Sequence, residues 1–103
     1  MPIPQLSGEQ LQAARTAAAE ARRLRAGLKQ QVRDGDLTLM AAIEKAMGNE
    51  ALGKIKVADL LRSLPRVGET RSKEILAALG IAPNRRVRGL GRHQLERLQE
   101  YFS

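Results

Sequence analysis

The sequence has no cysteine and no tryptophan, and it has a single histidine, a single tyrosine and a single phenylalanine. Without cysteine there is neither a disulfide frame nor a thiolate metal site, which fits a reducing compartment. The lone His93 can recruit only carboxylates, and Glu96 and Glu100 follow it three and seven positions on. A zinc site or a catalytic triad needs more than that. The plain reading is a surface histidine in the first turn of the last helix, and no catalytic residue, metal or cofactor is expected. Gly89-Leu90-Gly91 is no phosphate loop, since no strand pattern precedes it and no Gly-Lys-Ser/Thr follows. Tyr101 and Phe102 stand together at the carboxyl end, which argues against a stacking platform for single strands. Apolar runs of bilayer length are missing, and Met1 to Leu6 has neither the basic start nor the apolar stretch of a signal peptide. These absences predict a soluble, cytoplasmic protein with no membrane partner.

What the chain has is positive charge. Its 103 residues, enough for one domain (1–103), carry 18 basic and 11 acidic side chains, a formal net charge of +7. Such a balance suits a polyanion, either nucleic acid or an anionic membrane surface. Placement narrows it further. Between Lys54 and Arg92 there are ten basic residues and three acidic ones, so this segment alone accounts for the whole net charge.

The pattern is all-α: a long amino-terminal helix over 7–34, then a small helical body over 36–102. Ser7 with Gln10 makes a capping-box signature. Along the first helix large apolar residues are sparse. Leu24, Leu28 and Val32, spaced i, i+4, i+8, predict a buried face only in its later half. Asp34-Gly35-Asp36 reads as a turn with Asp36 capping a second helix, whose inner face would carry Met40, Ile43 and Met47. Residues 49–55 read as a connector. Val57, Leu60, Leu61 and Leu64 mark a third helix ending at Pro65. A fourth runs from about Thr70 to Leu79 and stops at Gly80, with Ile81 folding back. Arg85 to Leu90 reads as an extended basic connector before a last helix over about 91–102, burying Leu95, Leu98 and Phe102.

The strongest constellation is the run Leu64-Pro65-Arg66-Val67-Gly68-Glu69-Thr70-Arg71-Ser72-Lys73. Pro65 ends one helix, Gly68 allows the turn and Thr70 caps the next helix. Free backbone N–H groups at that helix start suit a phosphate, and Arg66, Arg71 and Lys73 flank it. An ordinary αα-corner would show the same glycine.

Residues 64–102 resemble the helix-two-turns-helix module of ribosomal protein S13, through Pro65-Arg66-Val67-Gly68, Ile81-Ala82-Pro83-Asn84-Arg85-Arg86 and a closing helix at Gln94 to Leu98. Other residues extend the likeness to nearly the whole chain. Pro4-Gln5-Leu6, the Ala/Arg-rich first helix, Leu52-Gly53-Lys54-Ile55-Lys56-Val57 and Arg85-Arg86-Val87-Arg88-Gly89-Leu90-Gly91 are similar to the actinobacterial integration host factor family of mycobacteria and Streptomyces. That resemblance implies a nucleoid-associated protein that binds duplex DNA with little sequence preference, bends or compacts it, and assists phage integration. An S13 protein would also carry a basic carboxyl-terminal tail, whereas this sequence ends Tyr101-Phe102-Ser103.

Carried onto these positions, the resemblance puts Pro65, Arg66, Val67, Gly68 and Thr70 at a phosphate-facing hairpin, with Arg85, Arg86 and Arg88 at the adjoining turn. Lys54 and Lys56 alternate with Ile55 and Val57, as an exposed connector also would. On the first helix Arg22, Arg25 and Lys29 fall on one stripe, either a solvated face or a second DNA surface. Base-edge readout should be minor, because Asn and Gln are scarce near the basic segment. The expected partner is double-stranded DNA, with phage integrase met through shared DNA, and the free protein is expected to be a monomer. A binder of structured RNA and a protein–protein adaptor are the alternative readings.

Overall fold

A computed structural model describes residues 7–102. The resemblance to Pro4-Gln5-Leu6 therefore lies outside the described residues. Six α-helices follow one another: α1 (Gly8–Arg33), α2 (Leu39–Met47), α3 (Glu50–Gly53), α4 (Val57–Ser63), α5 (Glu69–Ala78) and α6 (Arg92–Phe102). A single 3-10 turn, Val87–Gly89, lies between α5 and α6. There is no strand among the described residues beyond one isolated bridge pair, so the all-α reading holds.

Local chemistry accounts for the helix ends. The Ser7 side chain accepts from the Gln10 amide at 3.1 Å and the Gln10 side chain accepts from the Ser7 amide at 2.9 Å. This is the reciprocal box that the spacing predicts. At 26 residues α1 is about 39 Å long. It ends at Gly35, whose φ of 81° is left-handed, with Asp36 N–H donating to Gln31 O at 2.9 Å and Gly35 N–H to Val32 O at 3.2 Å. Asp36 is thereby committed to closing α1 and does not cap α2. Thr38 does, accepting from the Ala41 amide at 3.1 Å. The same closure recurs at Gly80 (φ 68°), where Ile81 N–H donates to Leu76 O at 2.9 Å and the Ile81 side chain is buried, as expected.

The 49–55 segment is more than a connector. Asn49 accepts from the Leu52 amide at 3.1 Å and starts the one-turn α3, which buries Leu52. A helix that short leaves no periodicity to read. On α5 the cap is Gly68, not Thr70, which is exposed within the first turn.

One core joins the later half of α1 to the body. Leu28 and Val32 of α1 pack with Leu39, Ile43, Leu52, Ile55, Val57, Leu60, Leu61, Ile75, Leu76 and Leu98. Leu24, expected on that face, is 45% exposed, and Leu11 is 42% exposed. The buried face of α1 thus begins at Leu28, with Leu24 at the rim of the core beside Leu52. On α2 the inner positions are Leu39, Ala42, Ile43 and Ala46, whereas Met40 is only half-buried and Met47 is exposed. On α6 Leu98 is buried, and Leu95 and Phe102 pack against the core half-exposed. Ser72 is buried between α4 and α5 and donates to Ala58 O at 3.3 Å, so no polar atom is stranded there. No helix among the described residues is long and apolar enough to cross a membrane.

Candidate nucleic-acid interface

The basic loop is not a free connector. Val57 N–H donates to Arg85 O and Val87 N–H donates to Ile55 O, both at 2.9 Å. Lys56 and Arg86 consequently face one another as an antiparallel bridge pair. Ile55, Val57 and Val87 point into the core, which turns Lys54, Lys56, Arg86 and Arg88 to the outside. Two segments some thirty positions apart in sequence are zipped into one short ribbon, and their cations lie side by side. The extended connector of the sequence reading is in fact this ribbon followed by the 3-10 turn at Val87–Gly89.

The arginines are further held by the main chain. Arg86 Nη1 donates to Lys54 O at 2.8 Å and Arg85 Nη1 donates to Gly89 O at 3.0 Å. Among the described residues neither Arg85, Arg86 nor Arg88 has an acidic partner. Their charge is uncompensated, and two of the three side chains are oriented by carbonyls that leave the guanidinium charge intact. Gly53 fits tightly under this turn. A Cβ on it would meet the Arg88 Cβ at 3.2 Å and Ala46 O at 3.3 Å.

The hairpin between α4 and α5 differs from expectation in its backbone. Gly68 has φ −89° and ψ −174°, open to any residue, and it is Arg66 that takes the left-handed conformation, with φ 71°. A non-glycine residue there is strained. Pro65 and Arg66 are exposed, and Val67 is half-buried against the core. Glu69 puts a negative charge in the first turn of α5, where a phosphate was expected, and it pairs with Lys73 at 3.6 Å. Arg71 is drawn the other way, 3.6 Å from Glu74 and 3.4 Å from the Tyr101 hydroxyl. The hairpin therefore splits its cations. Lys73 shares a cleft with Lys56 and Pro83, next to the basic ribbon, whereas Arg71 lies toward α6.

On α1, Arg22 is exposed and Arg25 and Lys29 are half-buried. Lys29 lines a cleft between α1 and α4, while Arg22 and Arg25 lie further toward the start of the helix. His93 is an exposed residue of α6 facing Glu96 at 3.8 Å. No group of three His, Cys, Asp or Glu that would hold a metal occurs among the described residues. Sequence reading passes over Arg62, which stands on α4 at the meeting point of two clefts. A single cation three positions after an aspartate on the same helix reads as a local ion pair and gives no signal of its own.

A family model described as the S13-like H2TH domain matches residues 32–102, which begins earlier than residue 64, where the sequence likeness to S13 starts. That match defines the class: a small all-helical protein built on the helix-two-turns-helix module. Integration host factor of Mycobacterium tuberculosis (strain ATCC 25618 / H37Rv) is 47% identical over 102 residues, covering 99% of this chain and 97% of that protein. Integration host factor of Streptomyces coelicolor (strain ATCC BAA-471 / A3(2) / M145) is 44% identical, covering 99% and 95%. A solved structure of sIHF bound to an 8-bp palindromic DNA superposes with a TM-score of 0.83 at 43% identity, covering 85% of this chain and 99% of that one. The chain belongs to this integration host factor family, which is named for a host factor and not for an enzymatic activity.

Proposed function

We propose that the chain is a nucleoid-associated protein of the cytoplasm that binds duplex DNA through its phosphate backbone, with little sequence preference. The observation that carries this is the ribbon. Main-chain pairing turns Lys54, Lys56, Arg86 and Arg88 outward, Arg85 shares a hollow with Arg86 and Arg88, and none of the five has an acidic partner among the described residues. Cations that are already placed and unpaired meet phosphates with little ordering cost. The hairpin residues Pro65, Arg66, Val67, Gly68 and Thr70, with Lys73, extend the face along the backbone, and Arg71 lies at its margin. That a relative has been solved on DNA supports the same partner here.

Bending and compaction need contacts on two sides of a curve, and Arg22, Arg25 and Lys29 are the second surface in this proposal. Assistance to phage integration then runs through shaped DNA, with integrase met on the same duplex, and the free protein is a monomer.

The test is competition between a duplex DNA and a structured RNA of equal length across a salt series. If about six phosphates are contacted, the log–log slope on DNA is roughly −5. The double substitution Arg85→Ala, Arg86→Ala should make the slope shallower by about two units. Preference for the RNA would return the S13-like reading. Binding to DNA that is indifferent to salt and to the double substitution would sink the proposal. Charge reversal at Arg22, Arg25 and Lys29 should reduce the bend measured by energy transfer between the duplex ends, and an unchanged bend would remove α1 from the mechanism.

A further inference from the structure

The cleft between α1 and α4 is lined by Lys29 and Arg33 on one wall and by Asp59, Arg62 and Ser63 on the other. The cleft between α4 and α5 is lined by Lys56 and Lys73, and by the same Asp59 and Arg62. Its far end is Pro83, whose neighbours Ala82 and Asn84 open the cleft that holds Arg85, Arg86 and Arg88. The first two hollows share Asp59 and Arg62, and the second and third adjoin through Lys56 and Arg86, which face one another as a bridge pair, so that the three make up a basic trough. Eight basic side chains line it against two acidic ones, so nearly all of the formal net charge of +7 lies along it. On α1, Arg22, Lys29 and Arg33 lie within about 40° of one another at 100° per residue, so that helix face continues the trough outward.

Arg62 is the only basic residue common to two of these hollows, and it is ion-paired with Asp59. The pair is open to solvent, with Arg62 exposed and Asp59 half-buried, at side-chain exposures of 44% and 31%. An ion pair so placed holds weakly and exchanges readily for another anion. It also sits between the two basic regions that the DNA reading treats as separate surfaces.

We infer that Arg62 is a phosphate-contacting residue that joins the α1 stripe to the basic ribbon as one continuous backbone track, and that Asp59 occupies it until DNA arrives. The inference rests on the duplex-DNA reading. It goes beyond that reading in assigning the trough and its acidic gate. A phosphate reaching Arg62 must first displace the Asp59 carboxylate, so the two anions compete for one guanidinium. Asp59 thus weakens binding, and Arg62 strengthens it only through the site they share.

The experiment uses the full chain with a 20-bp duplex and three substitutions, Arg62→Ala, Asp59→Asn and their combination, across a salt series. Arg92→Ala is the control, since Arg92 has the same charge and lines the α2/α6 cleft away from the trough. Arg62→Ala should make the log–log slope shallower by about one unit and lower affinity by more than Arg92→Ala does. Asp59→Asn should tighten binding several-fold at low salt in the wild-type background, and by much less once Arg62 is gone. Melting temperatures of the variants confirm that each is folded. An Arg62→Ala slope equal to wild type and to Arg92→Ala overturns the inference, as does an equal gain from Asp59→Asn with and without Arg62. Failure of the wild-type protein itself to bind the duplex is a different result, because it removes the DNA reading and this inference with it.

Discussion

Arg85, Arg86 and Arg88 stand on a segment whose backbone is tied at two points to residues 55–57 and whose Val87 is fully buried. Arg22, by contrast, stands on a helix nearly two turns before its first buried residue, Leu28. Both regions present positive charge that is unpaired among the described residues, yet they are supported in opposite ways. The ribbon is placed by the core, so its cations are at fixed positions relative to one another before any ligand arrives. The early turns of α1 are held by helix propensity, by the Ser7 box and by propagation from the anchored half. A rigid face suits recognition of a regular backbone spacing, and a projecting helix suits reach.

That contrast can be broken or sharpened by substitution. The largest effect is expected at the anchor. Leu28→Ala should lower unfolding free energy by about 3 kcal/mol, read by denaturant titration, whereas Leu24→Ala should change it by less than about 0.5 kcal/mol. Equal losses would mean that the early turns are as firmly held as the late ones. Next comes Gly53→Val. It crowds Arg88 Cβ and Ala46 O, should cost about 2 kcal/mol, and should weaken duplex binding by shifting the 3-10 turn. Unaltered binding at lowered stability would show that the arginines do not depend on that packing. Ser7→Ala follows, at about 1 kcal/mol. Its effect should appear as faster amide exchange in the first turns of α1, with the global melting temperature unchanged. The smallest stability change is expected from Arg66→Gly. Relief of the left-handed strain and the added chain freedom of glycine nearly cancel, leaving less than about 0.5 kcal/mol, while the salt slope on DNA becomes shallower by about one unit.

Much of the architecture was legible because it is local. The Ser7–Gln10 box, the Gly80 stop with Ile81, and the apolar spacing of α4 and α5 depend on residues within a turn or two of one another. The readings that failed involve competition between neighbouring candidates. Asp36 and Thr38 both suit a cap, and the choice depends on Asp36 already closing α1. Gly68 looks like the residue that the hairpin needs, but the chain turns left-handed two positions earlier, at Arg66. Leu24 fits the helical period, yet it lies at the rim of the body, beside a hollow that it shares with Leu28 and Leu52, and stays largely exposed. At the interface the residue types were readable and their assembly was not. Lys54 and Lys56 alternate with apolar neighbours much as a surface connector would. Only the pairing of Lys56 with Arg86 makes them part of the same face, and a contact across thirty residues leaves no trace in either segment alone.

The pairing of residues 55–57 with 85–87 also bears on the order of events in the life of the chain. Closing a loop of that length is among the later steps of folding, since its entropy must be met before the contact rewards it. The face is therefore complete only when α4, α5 and the turn after them have all docked. During synthesis residues 85–88 emerge after their ribbon partners, so a growing chain holds Lys54 and Lys56 without the arginines they are to stand beside. A fragment cut by a protease between the two halves would keep its charge but lose the alignment. It should compete poorly for the same duplex, which makes the arrangement of charge a signature of the intact, finished molecule.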